Sequence, residues 1–151
     1  MFKKIFVLLF SFISFSYIYY GCASGSDCFY IKDNCLYKSY KFNMSDSLGN
    51  KLIDGNIYIN EYKSGNIFGT YKFITVYNDS FPGFSSMKGK FSGTVNEKEN
   101  TVYINTNPSL SDYNILLNLS MIKDSLNGNW NLSTMKGIKN SGKFFATKIK
   151  K

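Results

Sequence analysis

The fold is decided by the stretch Leu126-Asn-Gly-Asn-Trp-Asn-Leu132 and by its partner Gly142-Lys-Phe-Phe-Ala-Thr-Lys-Ile149. In the first stretch the apolar residues and one glycine alternate strictly with three asparagines. This is the period-two pattern of a strand with one face in water. The partner repeats the arrangement at Gly142, Phe144 and Ala146. The two stretches therefore predict an antiparallel β-hairpin.

A glycine two residues before an aromatic residue recurs along the chain. This pattern occurs at Gly128-Asn-Trp130 and Gly142-Lys-Phe144, and again at Gly69-Thr-Tyr71 and Gly89-Lys-Phe91. Glycine in a strand leaves room on the inner face for a large ring from across the sheet. We therefore expect one sheet of hairpins, with rings packed over glycines.

The same alternation predicts about eight strands. We expect them over residues 36–43, 56–62, 67–77, 87–95, 101–105, 113–122, 126–132 and 142–149. Short and long connections alternate, which is typical of an up-and-down meander. A flat sheet of this size has two exposed edges, and closure removes them. The prediction is an all-β domain at residues 36–151, an antiparallel barrel whose last strand pairs with its first.

Some details of this scheme are less regular. Residues 67–77 carry apolar side chains at both odd-numbered and even-numbered positions, which we explain by a bulge near Gly69. Residues 44–50 are predicted to form a loop. The alternation also places Met87 and Tyr113 on the inner face, at the starts of their strands.

The inward positions provide the candidate binding residues. Phe81 and Phe84 lie in the predicted loop 78–86. Their rings either plug the open end of the core or form a lid over a ligand. An eight-stranded barrel is either filled by its side chains or holds one small ligand. The residues expected in the interior are Phe91, Leu117, Leu119, Trp130 and Phe144.

The strand pattern is similar to that of small lipocalin-like and avidin-like barrels over about residues 36–149. Lipocalins carry Gly-x-Trp in the first strand and an arginine late in the chain. In this chain Gly128-Asn-Trp130 belongs to the next-to-last predicted strand, and arginine is absent. The resemblance is therefore architectural, and it transfers no ligand site.

The N-terminal segment has the pattern of a signal peptide. Two lysines within residues 1–4 precede the apolar run 5–20, which ends at Gly21 and Cys22. Sixteen residues in a helix would rise roughly 24 Å, which is short of the ~30 Å hydrocarbon core. A signal peptide over residues 1–21 is therefore favoured over a permanent transmembrane anchor.

The leader resembles that of a bacterial lipoprotein, in which a small residue precedes a cysteine that is lipidated and becomes the new N-terminus. Those residues are Gly21 and Cys22. Tyr19 stands where the usual pattern has Leu, Val or Ile, and such looseness resembles the relaxed lipoprotein boxes of spirochaetes. The resemblance implies acyl chains such as palmitate on Cys22, and an exported outer-membrane lipoprotein on the periplasmic or surface side. The alternative is an ordinary cut after Ala23.

Residues 22–35 are predicted to form a lipid-anchored tether and a disulfide loop. Cys28 and Cys35 lie close in sequence with Asp33-Asn34 between them as a turn signal. In an exported protein such cysteines are expected to pair. The alternatives are a metal or redox pair, but the chain has no Cys-x-x-Cys spacing and no histidine. A structural disulfide is favoured.

The charge is basic, at about +6 from Cys22 onward, where sixteen lysines face ten acids. Such a balance is compatible with nucleic acid, anionic lipid or an acidic polysaccharide. The lysines are scattered singly, however, and proteins that recognise phosphate groups specifically usually depend on arginine. An exported protein also meets little nucleic acid. We therefore do not expect a nucleic-acid partner.

The residues that usually carry catalysis are missing or isolated. Histidine, the commonest general base and metal ligand, is absent. Acids such as Glu97 and Glu99 lie in a charged turn, where solvation is far more frequent than catalysis. The sequence thus predicts a non-enzymatic protein without a cofactor or metal.

Two function classes stay open. The first is a membrane-anchored envelope lipoprotein that binds a small apolar ligand inside the barrel, or a host or envelope macromolecule at the long-loop end. The second is a structural envelope protein with a filled core and no small-molecule ligand. The volume of the interior would distinguish them, since ligand sites run to ~300 Å3 and more.

Overall fold

The computed structural model describes residues 38–78, 87–110 and 112–150, which form an antiparallel barrel. Its eight strands are β1 (Ser39–Asp46), β2 (Lys51–Lys63), β3 (Asn66–Val76), β4 (Lys88–Asn96), β5 (Thr101–Asn105), β6 (Asn114–Ile122), β7 (Ser125–Thr134) and β8 (Gly137–Lys148). Each strand pairs with the next, and β8 closes the barrel against β1. The predicted all-β meander and its closure are confirmed.

The two ends of the barrel differ. The start of β1 and the finish of β8 lie at one end, together with the tight connections β2–β3, β4–β5 and β6–β7. We call this the proximal end. The opposite, distal end carries the connections β1–β2, β3–β4, β5–β6 and β7–β8, including the longest two, which join β3 to β4 and β5 to β6. Long loops thus gather at one end, as the sequence predicted.

The interior is one hydrophobic cluster to which all eight strands contribute. Among the described residues the cluster contains 22 buried hydrophobic side chains. Alternation on each strand supplies them, because every second side chain points inward. The five side chains that the sequence placed in the interior are buried there: Phe91, Leu117, Leu119, Trp130 and Phe144.

Large rings lie over glycines on neighbouring strands. A Cβ at Gly55 would lie 2.6 Å from the Phe42 ring, and a Cβ at Gly89 would lie 2.5 Å from the Tyr71 hydroxyl. The other two such pairs are Phe91 over Gly69 and Trp130 over Gly142. In all four pairs the ring and the glycine are direct cross-strand partners. The missing side chain therefore makes the space that the ring occupies.

Trp130 joins three strands at the closure of the barrel. Its ring starts on β7 and lies over Gly142 of β8, where a Cβ would be 2.6 Å from the indole nitrogen Nε1. The indole N–H then donates a 2.7 Å hydrogen bond to the carbonyl oxygen of Ser45 on β1. Because β8 and β1 are the last and first strands, this bond crosses the seam where the two ends of the sheet meet.

β1 extends further than the sequence predicted. Met44 was assigned to a loop, but it lies within β1 and its side chain is only 1% exposed. The partner strand β2 begins at Lys51, earlier than expected, and it has an extra residue, Leu52, where the register shifts between Met44 and Ser45. The inward alternation of Tyr40 and Phe42 continues to Met44, but the polar residues Asn43, Ser45 and Asp46 around it made this segment resemble a loop.

The irregularity expected near Gly69 exists, but its extra residue lies on β2. Ile59 pairs with Gly69 and Glu61 pairs with Phe68, so Asn60 is the additional residue. β3 has its own extra residue, Ile74, five positions later. β3 therefore carries a bulge, but it lies at Ile74 and not near Gly69, where the extra residue belongs to β2.

Met87 and Tyr113 were predicted to face inward, and both predictions were wrong. Met87 precedes β4 and its side chain is exposed. Tyr113 has a φ of 66°, in the left-handed region, so the chain turns just before β6 and the side chain is exposed. Alternation predicts which side of the sheet a side chain faces only within a strand, and these two residues lie just outside their strands.

The ring–glycine packing at the seam makes a stability prediction. In Gly142→Ala the new Cβ meets the Ser45 carbonyl oxygen and the Trp130 indole, so we expect overpacking to reduce the free energy of unfolding by about 3 kcal/mol or more. The control is Ser141→Ala, an exposed neighbour on the same strand, which should change it by less than about 0.5 kcal/mol. Equal urea midpoints for the two variants would contradict the packing described.

Candidate functional site

The middle of the barrel is packed with side chains. Trp130, Phe144, Ile104 and Leu117 are each at most 1% exposed. Ring contacts continue the packing, with Phe42 stacked on Phe144 at 5.2 Å between ring centres. A ligand in this region would have to displace buried side chains. The packing therefore directs attention to the outer surface.

Exposed apolar side chains collect at the distal end. Each of its four connections carries at least one large apolar residue that is exposed. Leu48 and Met135 stand out most, at 85% and 82% exposed. We call the following set the distal rim: Leu48, Tyr77, Met87, Leu110, Tyr113, Met135 and Ile138.

Asp46 shapes the turn that presents Leu48. The carboxylate oxygen Oδ1 accepts the backbone N–H of Leu48 at 2.9 Å and that of Asn50 at 2.8 Å. Its other oxygen accepts the side-chain amide of Asn50 at 2.9 Å. The Asn50 side chain is the main cause that lowers the pKa of Asp46 below its ordinary value, with the backbone N–H groups adding to it. A charged, well-bonded carboxylate thus holds an apolar side chain out in water.

Asp112 joins two connections of the distal rim. Its Oδ1 accepts the backbone N–H of Tyr113 at 2.8 Å and that of Met135 at 2.7 Å. The first lies before β6 and the second lies between β7 and β8, so one carboxylate brings Tyr113 and Met135 together. The connection before β6 is tied further by the Asn114 side-chain amide, which donates to the Leu110 carbonyl oxygen at 2.8 Å. The rim is therefore built on defined hydrogen bonds.

Tyr77 is held at the distal end by contacts to β2. Its backbone N–H donates to the Leu52 carbonyl oxygen at 2.9 Å, and its hydroxyl donates to Asp54 Oδ2 at 2.8 Å. The bond to Asp54 raises the pKa of the Tyr77 hydroxyl. Lys51 adds a cation–π contact, with its ammonium 5.7 Å from the ring centre. The ring of Tyr77 is thus held in a defined place while about half of the residue stays exposed, at 51%.

The carboxylates at the distal end serve structure. Asp46, Asp54 and Asp112 each accept hydrogen bonds from loop or tyrosine groups. Among residues 38–78, 87–110 and 112–150, no group of three or more His, Cys, Asp or Glu side chains lies close enough to hold a metal ion. What the arrangement displays is apolar contact area on a bonded framework.

Several residues singled out by the sequence lie outside the described part of the chain. These are the lipidation candidate Cys22, the disulfide candidates Cys28 and Cys35, and the loop aromatics Phe81 and Phe84. The distal rim was not predicted as a set. Its members are apolar residues spread over four connections and the start of β8, and only the closed barrel brings these to one end.

Comparisons of the chain with protein-family models, with curated proteins and with solved structures found no match. Within the described residues, no helix has the length and apolar character needed to cross a membrane.

The Asp46 turn predicts a titration with a defined sign. A carboxyl whose pKa is depressed in the folded state stabilises the fold at pH values above its pKa in the unfolded chain. This stabilisation is lost as the pH falls through the pKa of the folded state. The amide resonances of Leu48 and Asn50 should therefore shift with a midpoint below 3.8. In Asp46→Asn this titration should vanish. A midpoint at or above 3.8 in the unsubstituted protein would contradict the turn described.

Proposed function

We propose that this chain is a cell-envelope lipoprotein, anchored to the membrane through acylated Cys22, that acts as a non-enzymatic binding module. Its partner is a macromolecule that packs against the distal rim. The observation that carries the proposal is the exposure of large apolar side chains on every connection at the distal end. Larger exposed apolar patches on soluble domains are typical of interaction sites.

The position of the anchor supports this orientation. The described chain starts at residue 38, next to β1, so the segment that bears Cys22 joins the barrel at the proximal end. The distal rim lies at the opposite end of the barrel from the start of β1. An anchored module of this shape presents its rim away from the point of attachment.

The chemistry of the rim fits a protein partner with apolar pockets. Met87 and Met135 are flexible and polarisable, so they adapt to irregular apolar surfaces. Tyr77 and Tyr113 add rings with a polar tip, a residue type enriched in interfaces. Contacts of this kind need no reactive group, which agrees with carboxylates that are engaged in loop hydrogen bonds.

The packed interior favours one of the two forms of binding. A small apolar ligand inside the barrel would compete with Trp130, Phe144 and their neighbours, so we place the binding outside. The same packing also suits a purely structural envelope protein. The distal rim favours the binding module over that second candidate, because a structural filler has no need of apolar side chains held in water.

The anchor is tested by mass spectrometry of the N-terminal peptide from detergent-extracted protein. We expect the mature chain to begin at Cys22 with two acyl chains attached. Two acyl chains are enough for stable anchoring in a membrane. Cys22→Ala should release the protein from membranes or block its processing. An unmodified peptide that starts at Ser24 would show that an ordinary signal peptidase cuts this leader, and would remove the lipid from the proposal.

The rim is tested by site-specific photo-crosslinking in the native envelope. A photoreactive residue at Leu48 or Met135 should give the same discrete macromolecular adduct, because both side chains belong to one surface. The matched control is Asn129, an exposed position on the side of the barrel in β7. Adducts of equal yield at all three positions, or none at the rim, would contradict a partner at the distal end.

A further inference from the structure

Three neighbouring strands on one side of the barrel carry no charged residue. β5, β6 and β7 contain no lysine, aspartate or glutamate, whereas each of the other five strands contains at least one lysine. Charged residues make up 19% of the whole chain, so composition alone does not explain their absence from these three strands. The surface of a soluble domain commonly consists of about a quarter charged residues or more. The outer face of β5 to β7 is therefore unusual in being uncharged.

Asparagine occupies much of this uncharged face. Asn127, Asn129 and Asn131 point outward from β7, and Asn118 on β6 is the direct cross-strand partner of Asn129. Asparagine is depleted in strands, because its side chain favours local hydrogen bonds that compete with the sheet. Four asparagines in the middle of two strands therefore require a reason other than strand formation. We call these four residues the asparagine strip.

The amides of the asparagine strip contribute little to holding the fold. Asn96 and Asn114, in contrast, bind backbone groups of the turns and loops beside them. Within the strip, Asn129 accepts a 3.0 Å hydrogen bond from the Lys143 ammonium through Oδ1, and its amide nitrogen keeps two N–H donors. In the described part of the chain, no hydrogen bond joins the side chains of the other three strip residues to another protein group. The strip thus offers amide donors and acceptors to a ligand.

Two exposed aromatic rings flank the asparagine strip. Tyr103 on β5 lies directly opposite Asn118 and is 38% exposed. Phe145 on β8 lies directly opposite Asn127 and is 41% exposed. Directly opposed side chains in a sheet have Cβ atoms about 5 Å apart, so each ring lies beside an amide. This side of the barrel therefore combines aromatic surface with neutral hydrogen-bonding groups.

We propose that the asparagine strip binds an uncharged polysaccharide whose chain runs along β6 and β7. A sugar hydroxyl both donates and accepts hydrogen bonds, and the side-chain amide of asparagine does the same. The C–H face of a sugar ring is apolar and can pack on the exposed ring of Tyr103 or Phe145. Successive outward residues on β7 are about 7 Å apart, so the amides recur along the strand as hydroxyl groups recur along a sugar chain.

The charge of the asparagine strip favours this ligand over a polyanion. A nucleic acid or an acidic polysaccharide gains affinity from lysines, and β5 to β7 contain none. The one ammonium bonded to the strip is that of Lys143, which already donates to Asn129. A protein partner is matched less well, because stable protein interfaces have an apolar centre, whereas amides form the centre of the strip and rings lie at its edges.

The asparagine strip and the distal rim are separate surfaces. The strip lies on the side of the barrel, and the rim lies at its end. Binding at the strip depends neither on a lipid at Cys22 nor on a partner at the rim. Any carbohydrate adduct formed through a photoreactive residue at Asn129 contains no polypeptide, so mass spectrometry distinguishes it from the partner expected at Leu48.

The proposal is tested by NMR titration of the mature chain with Cys22→Ser, which carries no acyl chain. The probes are cellohexaose, maltohexaose and chitohexaose, which are uncharged. We expect saturable shifts of the strip's side-chain amide resonances that do not depend on salt. Asn127→Ala with Asn129→Ala should weaken binding about thirtyfold through the loss of hydrogen bonds to the sugar. Phe145→Ile keeps an apolar side chain but removes the ring, and should weaken binding about fivefold.

The matched control is Asn60→Ala with Asn66→Ala, which removes two exposed asparagines from β2 and β3 and should change affinity by less than about threefold. Circular dichroism should show the same fold for every variant. An equal loss of binding in the control would overturn the proposal, and so would the absence of binding to all three sugars or shifts that lie outside the strip. Preference for polygalacturonate with a strong dependence on salt would show recognition of anions by lysines, and would overturn it as well.

Discussion

The barrel closes at a seam where β1 pairs with β8, and the indole N–H of Trp130 crosses this seam with a hydrogen bond to the Ser45 carbonyl oxygen. The bond requires Gly142, because any side chain there would occupy the space of the indole ring. It joins β7 to β1 over β8, and so connects residues 85 positions apart in the chain. Few local interactions bring the ends of a meander together, and loop closure over that distance costs entropy. Burial of the large Trp130 ring, whose only polar atom is hydrogen-bonded, offsets much of this cost.

Closure of this kind has consequences for function. The rings that lie over glycines are buried in the middle of the barrel. Closure also gathers four connections at the distal end, where Leu48 and Met135 stand in water on turns bonded by Asp46 and Asp112. The proposed contact surface at the distal end is thus a product of the closed topology.

Much of the fold could be predicted from the sequence. The alternation of apolar and polar residues indicates the inward face of each strand, and the pattern of a glycine two residues before an aromatic residue indicates the packing inside. Prediction failed where polar residues or a turn obscured the pattern. Polar residues around Met44 hid the end of β1, and the left-handed φ of Tyr113 turned its side chain outward. The distal rim could not be predicted, because its residues are not a contiguous stretch and only the closed sheet brings their connections to one end.

The most direct measurement of the central claim is hydrogen exchange at the indole N–H of Trp130, which gives a single resonance because the chain has one tryptophan. If this group closes a packed barrel, its exchange should require global unfolding, with the same free energy as denaturant unfolding. Its resonance should also stay in place when apolar small molecules are added. Exchange through a smaller local opening, or a resonance that moves with such a ligand, would contradict the packed interior and return the binding site to the inside of the barrel.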